Sequence, residues 1–219
     1  TASQLIQMIA GDFNLQTGVL ESTGYNIESR IEENTSLFDM IQNALDVTLE
    51  NTKKLYVLYD DFGKITLRGL GSMKVNILID AETAEDFDYE SSIDGNTYNK
   101  IKLTYDNEDT GSREVYIAQD SNNMNQWGVL QYFDTLKKDE NGKAKANALL
   151  YLYNSKTRTL SVKNAFGDVS VRAGSLIPVM LHLGDVTVNS YMLVEKCKHE
   201  FKDGVHLMTL TLRGGEFIA

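Results

Sequence analysis

The clearest alternation of apolar and polar positions lies near the end of the chain, at 191–212. Asp203–Gly204 suits a two-residue type I′ turn, because both positions of that turn tolerate a positive φ. Side chains alternate across a strand, so this turn predicts a hairpin with one buried and one polar face. The face predicted to be buried carries Cys197, His199, Phe201, His206, Met208, Leu210 and Leu212, and the polar face carries Lys196, Lys198, Lys202, Thr209 and Thr211.

Helical periodicity marks two segments in the first 70 residues. Apolar residues recur at helical spacing over 2–13 and predict a first helix there. Ser36 followed by Asp39 has the spacing of a capping box, and the apolar stripe after it predicts a second helix that ends near Asn51. The polar connection between the helices, 14–34, is predicted to contain one short extended piece around Tyr25–Ile27.

A second hairpin pattern follows, because the residues on both sides of Asp61–Gly63 alternate. Residues 1–70 are therefore predicted to form a small helix–helix–hairpin unit. Beyond it the pattern changes to strands, predicted at 74–79, 98–105, 113–118, 127–133, 157–163, 169–172, 175–183, 188–199 and 205–213.

Four further features refine this second part. The acidic segment 81–93 is predicted to be a surface loop, and the stretch KAKANALLYLYN at 143–154 to be the one helix. Pro178 cannot donate a ladder hydrogen bond, which predicts an edge strand or a bulge. Gly204 is expected to need a left-handed backbone, whereas Gly142 lies in a polar stretch with no such requirement.

Composition narrows the class of protein. The net charge of −10 argues against ordinary nucleic-acid binding, which relies on Lys and Arg to displace counterions. One Cys excludes an internal disulfide framework. The longest apolar stretches, at 148–153 and 176–183, are too short to span a bilayer, and no signal peptide is visible, so no membrane partner is expected.

Cys197, His199 and His206 are the strongest candidates for a metal site, because the predicted hairpin places them on one face. His199 and His206 are diagonal neighbours about 7 Å apart by sheet geometry. Such a group is three quarters of a zinc site. No fourth ligand is spaced to join it, however, and Met, Leu and Phe fill the same face. Packing is the preferred interpretation, and no metal ligand is assigned.

Two other groups of residues each have a functional and a structural interpretation. Asp106, Glu108, Asp109 and Gly111 resemble a calcium loop in composition, but the EF-hand spacing fails and a hairpin tip is the preferred interpretation. Trp127, Tyr132 and Phe133 could stack on a sugar or base, but such a group is more often a strand's core face or an interface anchor.

No enzyme motif is present. Gly174–Ser175 lacks the G-x-S-x-G frame of a nucleophile elbow, and the many carboxylates cannot be paired by sequence alone. No catalytic residue, cofactor-binding residue or cofactor is therefore assigned.

Several stretches resemble the baseplate hub protein of contractile phage tails, of the type found in Gram-positive prophages and phage-tail-like bacteriocins. The resemblance covers nearly the whole chain. It rests on TASQLIQMIAGDFNL, TGYNI, SLFDMIQNALDVT, LYVLYDDFGKITLR, QWGVLQYFD, ALLYLYN, TRTLSVKNAFGD, VRAGSLIPV and KHEFKDGVHLMTLTL.

The resemblance implies an architecture and a set of partners. Similar hubs contain two tail-tube-like β-barrel domains and form homotrimers between the tail tube protein and the spike protein. They belong to the virion or phage-tail-like particle and are assembled in the bacterial cytoplasm. DNA can pass through the channel without specific binding. The first barrel is expected before Thr1, so the chain resembles the C-terminal portion of a hub.

The fold expected is α+β, with a small α/β domain at 1–70 and a mostly antiparallel, tail-tube-like β-barrel domain with one helix at 71–219. The function expected is structural and not enzymatic. Two alternatives stay open at this point: a module that binds cell-wall carbohydrate (peptidoglycan), and a peptidoglycan hydrolase.

Overall fold

The computed structural model is a mixed α+β fold in which antiparallel strand pairs predominate. It describes residues 1–29, 31–107, 111–136, 138, 140–183 and 186–214. These residues fall into two compact units, one over 1–72 and one that begins at Met73. Within the described ranges, no helix is long and apolar enough to cross a membrane.

The first unit combines two helices with a three-stranded sheet. Its elements are α1 (Ala2–Asp12), β1 (Thr17–Leu20), α2 (Leu37–Thr52), β2 (Tyr56–Asp60) and β3 (Ile65–Gly69). The central strand, β3, pairs antiparallel with β2 and parallel with β1. The core of the unit consists of Ile6, Ile41 and Leu67, with Ile9, Leu20, Leu45, Tyr56, Leu58 and Ile65 packed against them.

Local sequence signals account for most of this unit. Ser36 caps α2, because its hydroxyl accepts a hydrogen bond from the backbone N–H of Asp39 at 3.1 Å. The prediction of the extended piece was wrong: the strand is β1 and not 25–27. β1 is held by backbone pairing with β3, whereas Gly24, at φ +70°, turns the chain just before the predicted position.

The second unit contains two sheets and two helices among its described residues. Its strands are β4 (Asp86–Ser92), β5 (Lys100–Asn107), β6 (Ser112–Gln119), β7 (Gln131–Thr135), β8 (Thr157–Phe166), β9 (Leu176–Leu183), β10 (Val186–Lys202) and β11 (Val205–Gly214). Its helices are α3 (Ser121–Trp127) and α4 (Gly142–Tyr153).

Five strands form an antiparallel sheet in the order β4-β8-β11-β10-β9. The predicted turn and register are confirmed: Lys202 pairs with Val205 and His199 pairs with Met208. Register shifts occur in β10 between Val194 and Lys196 and in the β11–β8 pair. Such bulges increase local twist and bend a strand. The sheet is accordingly a curled half-barrel, and in the strand order β4 and β9 stand at its two edges.

Aliphatic side chains fill the core of this sheet. The fully buried ones include Ile79, Leu160, Val162, Ile177, Val179, Leu181, Met192, Val194, Met208, Leu210 and Leu212. β8, β10 and β11 each alternate buried and exposed positions along much of their length. One face of the curled sheet is therefore buried and excluded from water, as the hairpin pattern predicts.

The second sheet of this unit is built from β6, β5 and β7, with β5 in the centre. β5 pairs antiparallel with β6 and parallel with β7. Helix α4, close to its predicted position, covers one face, where Ile101, Leu103, Ala118, Leu136 and Ala146 are buried and Tyr98, Tyr105, Tyr116, Tyr132, Leu149 and Leu150 pack against them.

α3 was not predicted. Asp120 caps it through hydrogen bonds from the N–H groups of Asn122 and Asn123, and Gly128, at φ +77°, follows its last residue, Trp127. The strand predicted at 127–133 therefore starts later, as β7.

Three strand and loop predictions in the second unit were wrong. Segment 74–79 makes isolated bridges through Lys74 and Ile79 and no continuous strand. The acidic segment 81–93 contains β4, whose Phe87 and Tyr89 point toward the core while the acids alternate outward. Residues 169–172 form a turn, in which the N–H of Val171 bonds to the carbonyl of Asp168.

Pro178 lies in β9, an edge strand, as predicted. That edge is partly occupied, because the carbonyls of Leu176 and Pro178 accept hydrogen bonds from the N–H groups of Val75 and Ile79 at 2.9 Å. The segment before β4 supplies the donors.

Candidate functional site

The β10–β11 hairpin gathers the metal candidates beneath the 167–172 turn. We call Asp168, Cys197, His199 and His206 the histidine cluster. His199 lies at its centre, with its Nδ1 2.9 Å from His206 Nε2 and its Nε2 3.1 Å from Cys197 Sγ. The strands bring the three predicted residues together, and the turn adds Asp168, which the sequence reading missed.

Hydrogen-bond chemistry fixes the tautomers of the two imidazoles. Nε2 of His199 is 2.8 Å from the carbonyl oxygen of Val171, and a carbonyl can only accept. His199 therefore carries its hydrogen on Nε2 and accepts at Nδ1 when neutral. His206 must then donate from Nε2. One hydrogen, on Nε2 of His206, therefore lies between the two rings and points at Nδ1 of His199.

The same tautomer argues against a Cys–His nucleophile. A general base must be free to accept the thiol proton, but Nε2 of His199, the nitrogen beside Cys197, already carries a hydrogen. Burial also raises the pKa of the Cys197 thiol, which keeps it protonated. The cluster is therefore built for packing and hydrogen bonding.

The geometry is also unlike that of a metal centre. Cys197 and His206 approach opposite nitrogens of the His199 ring, so one ion cannot bind all three residues. Donor atoms around tetrahedral zinc lie roughly 3.3 Å or more apart, given bonds of about 2.0–2.3 Å. Among the described residues, no group of three or more His, Cys, Asp and Glu is arranged to hold a metal ion.

The ring of His206 is closely packed by Phe201 and Gly167. Phe201 stacks on one face with the ring centroids 4.0 Å apart. Gly167 approaches so closely that a Cβ there would lie 2.1 Å from the imidazole. Phe201 itself is 67% exposed, so the prediction that the whole hairpin face is buried was wrong at the tip. The buried face begins at Met208.

Asp168 completes the cluster electrostatically. The Ser170 hydroxyl and backbone N–H donate to its carboxylate at 2.6 and 2.8 Å, and these bonds, aided by His206 and His199, lower the pKa of Asp168. The sequence signal was present, because Gly-Asp-x-Ser is typical of a turn in which Asp bonds two residues on. The strand predicted at 169–172 obscured it.

The calcium-loop candidate lies at a hairpin tip, as preferred, since β5 pairs with β6 up to Asn107 and Ser112. Asp106 is bound by Arg113 through two hydrogen bonds of 2.6 and 2.9 Å, which lower the pKa of its carboxyl. Glu108 and Asp109 lie outside the described residues. The Asp106 carboxylate thus forms an ion pair with Arg113 within the hairpin.

The aromatic group does not form one platform. Tyr132 faces α4 and packs with Tyr98 and Tyr153 at centroid distances of 5.3 and 6.1 Å. Phe133 points from the opposite face of the sheet and is 57% exposed, and Trp127 ends α3. A sugar or base could not stack on these three residues together.

A cleft of about 820 Å³ lies in the first unit between α1 and α2. Its lining is mainly neutral and includes Gln4, Met8 and Met40, with carboxylates only from Glu28 and Glu32. Without a histidine, cysteine or basic side chain in this lining, the cleft shows no arrangement for catalysis.

The fold is shared with prophage tail proteins. The 43 kDa tail protein of prophage MuSo2 from Shewanella oneidensis aligns with a TM-score of 0.67 at 13% identity, over 97% of this chain and 65% of that one. Tail protein gp18 from Listeria monocytogenes EGD-e aligns with a TM-score of 0.59 at 12% identity, over 97% of this chain and 64% of that one.

Sequence comparison gives closer relationships. YqbQ of Bacillus subtilis strain 168 is 29% identical over 214 residues, and protein XkdQ of the phage-like element PBSX from the same strain is 31% identical over 214 residues. Each match covers 95% of this chain and 64% of the relative's length. The YQBQ-like family matches residues 1–213, so the chain belongs to the YQBQ-like family.

Proposed function

We propose that this chain is a structural component of a phage or phage-like contractile tail, in the baseplate hub that connects the tail tube to the spike. The observation that carries the proposal is the match to the YQBQ-like family over 1–213, together with the 31% identity to protein XkdQ of the phage-like element PBSX. The prophage tail fold of the two solved structures supports it.

The role proposed is mechanical. β10 spans 17 residues and pairs with β9 and β11, and β11 pairs in turn with β8. A force applied along these strands is distributed over the many backbone hydrogen bonds that join them. The curled sheet thus provides a stiff wall. We assign it to the tail-tube-like barrel domain at 71–219, which the small α/β domain at 1–70 precedes in the sequence.

The proposed assembly is a homotrimer of the full-length protein. A tail tube is a stack of six-fold rings and a spike is three-fold, so an intermediate with two barrels per chain matches both symmetries as a trimer. Its partners are then the tail tube protein and the spike protein. The net charge of −10 suits a channel through which DNA slides without sticking.

We infer no catalytic role for any residue. In the histidine cluster, both ring nitrogens of His199 and Nε2 of His206 are engaged in internal hydrogen bonds, and the aromatic group lacks a shared stacking surface. Neither arrangement favours a hydrolase or a carbohydrate-binding module.

The test is the location of the protein in purified particles. An antibody against this chain should label one end of the isolated tail, at the baseplate, when tails are imaged by electron microscopy. Particles from a strain that lacks the gene serve as the control and should fail to assemble a baseplate. Absence of the protein from particles, together with its retention on purified peptidoglycan, would reject the proposal in favour of a wall-binding module.

A further inference from the structure

The β6-β5-β7 sheet packs one face against α4 and exposes apolar side chains on the other. We call the latter the outer face, and its register rows run across the sheet: Ile117 and Phe133 flank Lys102, and Val115 and Thr135 flank Thr104. Val115, Ile117 and Phe133 are 47%, 54% and 57% exposed. A water-facing sheet surface normally presents polar residues, so such a row indicates a contact surface.

Two cations lie in the middle of this face. Lys100 and Lys102 follow each other on the same side of β5, about 7 Å apart by strand geometry. Neither makes an ion pair with any described residue. Arg113, on the same face, is already bound to Asp106. The outer face thus carries two positive charges without an ion-pair partner among the described residues. Ile117 and Phe133 flank Lys102, and Gln119 and Gln131 flank Lys100.

The complementary pattern occurs elsewhere on the same chain. β4 is an edge strand, and its Asp86, Asp88 and Glu90 are exposed on one side. Lys163 pairs with Asp86 at 3.4 Å, while Asp88 and Glu90 have no ion-pair partner among the described residues. These two carboxylates are also separated by one residue, which gives the same spacing of about 7 Å.

We propose that the outer face of one copy binds the β4 strand of a second copy, with Lys100 and Lys102 against Asp88 and Glu90. The two charge pairs match in number and spacing. Ile117 and Phe133, which flank Lys102, would exclude water around its ion pair and so strengthen that pair by lowering the local dielectric. The choice of a second copy as the occupant rests on the multimeric function proposed above.

The contact is heterologous, because each copy uses a different surface toward each of its neighbours. A copy bound through its outer face still has β4 free for the next copy. Repetition therefore gives a ring if the rotation closes, and a filament if it does not. This inference names the surfaces of self-association, which family membership leaves open.

The test is a pair of charge reversals, Lys102→Glu and Asp88→Lys, studied by sedimentation velocity over a range of concentrations. The wild-type chain should associate weakly, and added salt should weaken the association because the Debye length is about 10 Å at 0.1 M. Each reversal alone should weaken self-association about tenfold or more, since it sets like charges against each other. An equimolar mixture should recover association between the two variants, because every contact between unlike copies pairs opposite charges.

Two further variants separate the proposal from a general charge effect. Lys143→Glu makes the same charge change at an exposed position of α4, on the covered side of the sheet, and should leave association unchanged. Phe133→Ser should weaken association without any change in charge.

Several results would overturn the proposal. They are a wild-type chain that stays monomeric at every concentration, a mixture that does not recover association, or a loss with Lys102→Glu that Asp88→Lys does not share. The last result would assign the outer face to a different partner. Recovery in the mixture together with absence from tail particles would keep this contact and reject the proposed function.

Discussion

The two sheets of the second unit use the same alternation of side chains for opposite purposes. The five-stranded sheet buries aliphatic side chains such as Ile177 and Leu160 completely, and its water-facing positions combine polar residues with exposed apolar ones such as Phe166, Met180 and Phe201. The three-stranded sheet buries one face under α4 and leaves Ile117 and Phe133 in water on the other. The buried apolar residues thus stabilise the five-stranded sheet, whereas those on the outer face of the three-stranded sheet are available for binding.

The sharpest test of this contrast uses the same substitution in both sheets. Ile177→Ala should lower the free energy of unfolding by about 2–5 kcal/mol, because it leaves a cavity where the side chain is 0% exposed. Ile117→Ala, at a side chain that is 54% exposed, should change it by no more than about 0.5 kcal/mol. Urea unfolding of both variants measures the difference. Equal losses would mean that the outer face is covered within the monomer.

The covered side of the three-stranded sheet gives the next largest effect. Gly142 begins α4, and a Cβ there would lie 2.4 Å from the Tyr116 ring and 2.6 Å from Leu136. Gly142→Ala should therefore cost about 1–3 kcal/mol through overpacking. Gly95→Ala is the control, since no atom lies within 4 Å of its Cβ position. If thermal melts show no difference between the two variants, α4 is packed less closely than described.

That glycine also corrects an expectation from sequence. Gly204 does adopt a left-handed backbone, at φ +78°, as its turn type predicts, and its surroundings are open. Gly142 was expected to lie in an unconstrained polar stretch, but it lies against an aromatic ring. Turn chemistry is local and can be read from two adjacent residues. A close approach between distant segments cannot.

The histidine cluster tests the tip of the five-stranded sheet against its core. His206→Ala should lower stability by about 1–3 kcal/mol, because His199 loses its hydrogen-bond donor and Phe201 loses its stacking partner. His182→Ala is the matched control, since His182 is exposed and bonds only to Thr187 in the described structure. Its effect should stay within about 0.5 kcal/mol. Stoichiometric binding of zinc at micromolar concentration would contradict the packing role.

The smallest expected effect concerns pH. The pKa of Asp168 is lowered by its bonds to Ser170, so the folded state binds this proton less readily than the unfolded state. The stabilisation is therefore present above about pH 4, the range of an unfolded aspartate, and is lost as pH falls further through the folded pKa. Asp168→Asn should flatten the fall in melting temperature below pH 4. Asp88→Asn is the control, and an identical pH profile for both would remove the role assigned to Asp168.

Sequence reasoning succeeded where the signal lies within a few residues. The Asp203–Gly204 turn gave the register of β10 and β11, and Ser36 gave the start of α2. It failed where pairing with a distant part of the chain determines the structure. β1 exists because β3 pairs with it. β4 was missed because its acidic residues hid the alternation of Phe87 and Tyr89, which face the core.

The candidate site divides in the same way. The shared face of Cys197, His199 and His206 follows from the hairpin register alone. The approach of the Val171 carbonyl, which sets the tautomer of His199, depends on a turn 28 residues earlier in the chain. The contact with Val171 therefore distinguishes a metal site from a hydrogen-bonded cluster, and the alternation of side chains along the strands does not predict that contact.

The proposed function requires self-assembly between a tube and a spike, so the most direct measurement is the mass of the full-length protein in solution. Light scattering coupled to size-exclusion chromatography should give three times the chain mass, and addition of the spike protein should shift the trimer to a larger, defined complex. A full-length protein that stays monomeric at high concentration and does not bind the spike would contradict the hub assignment.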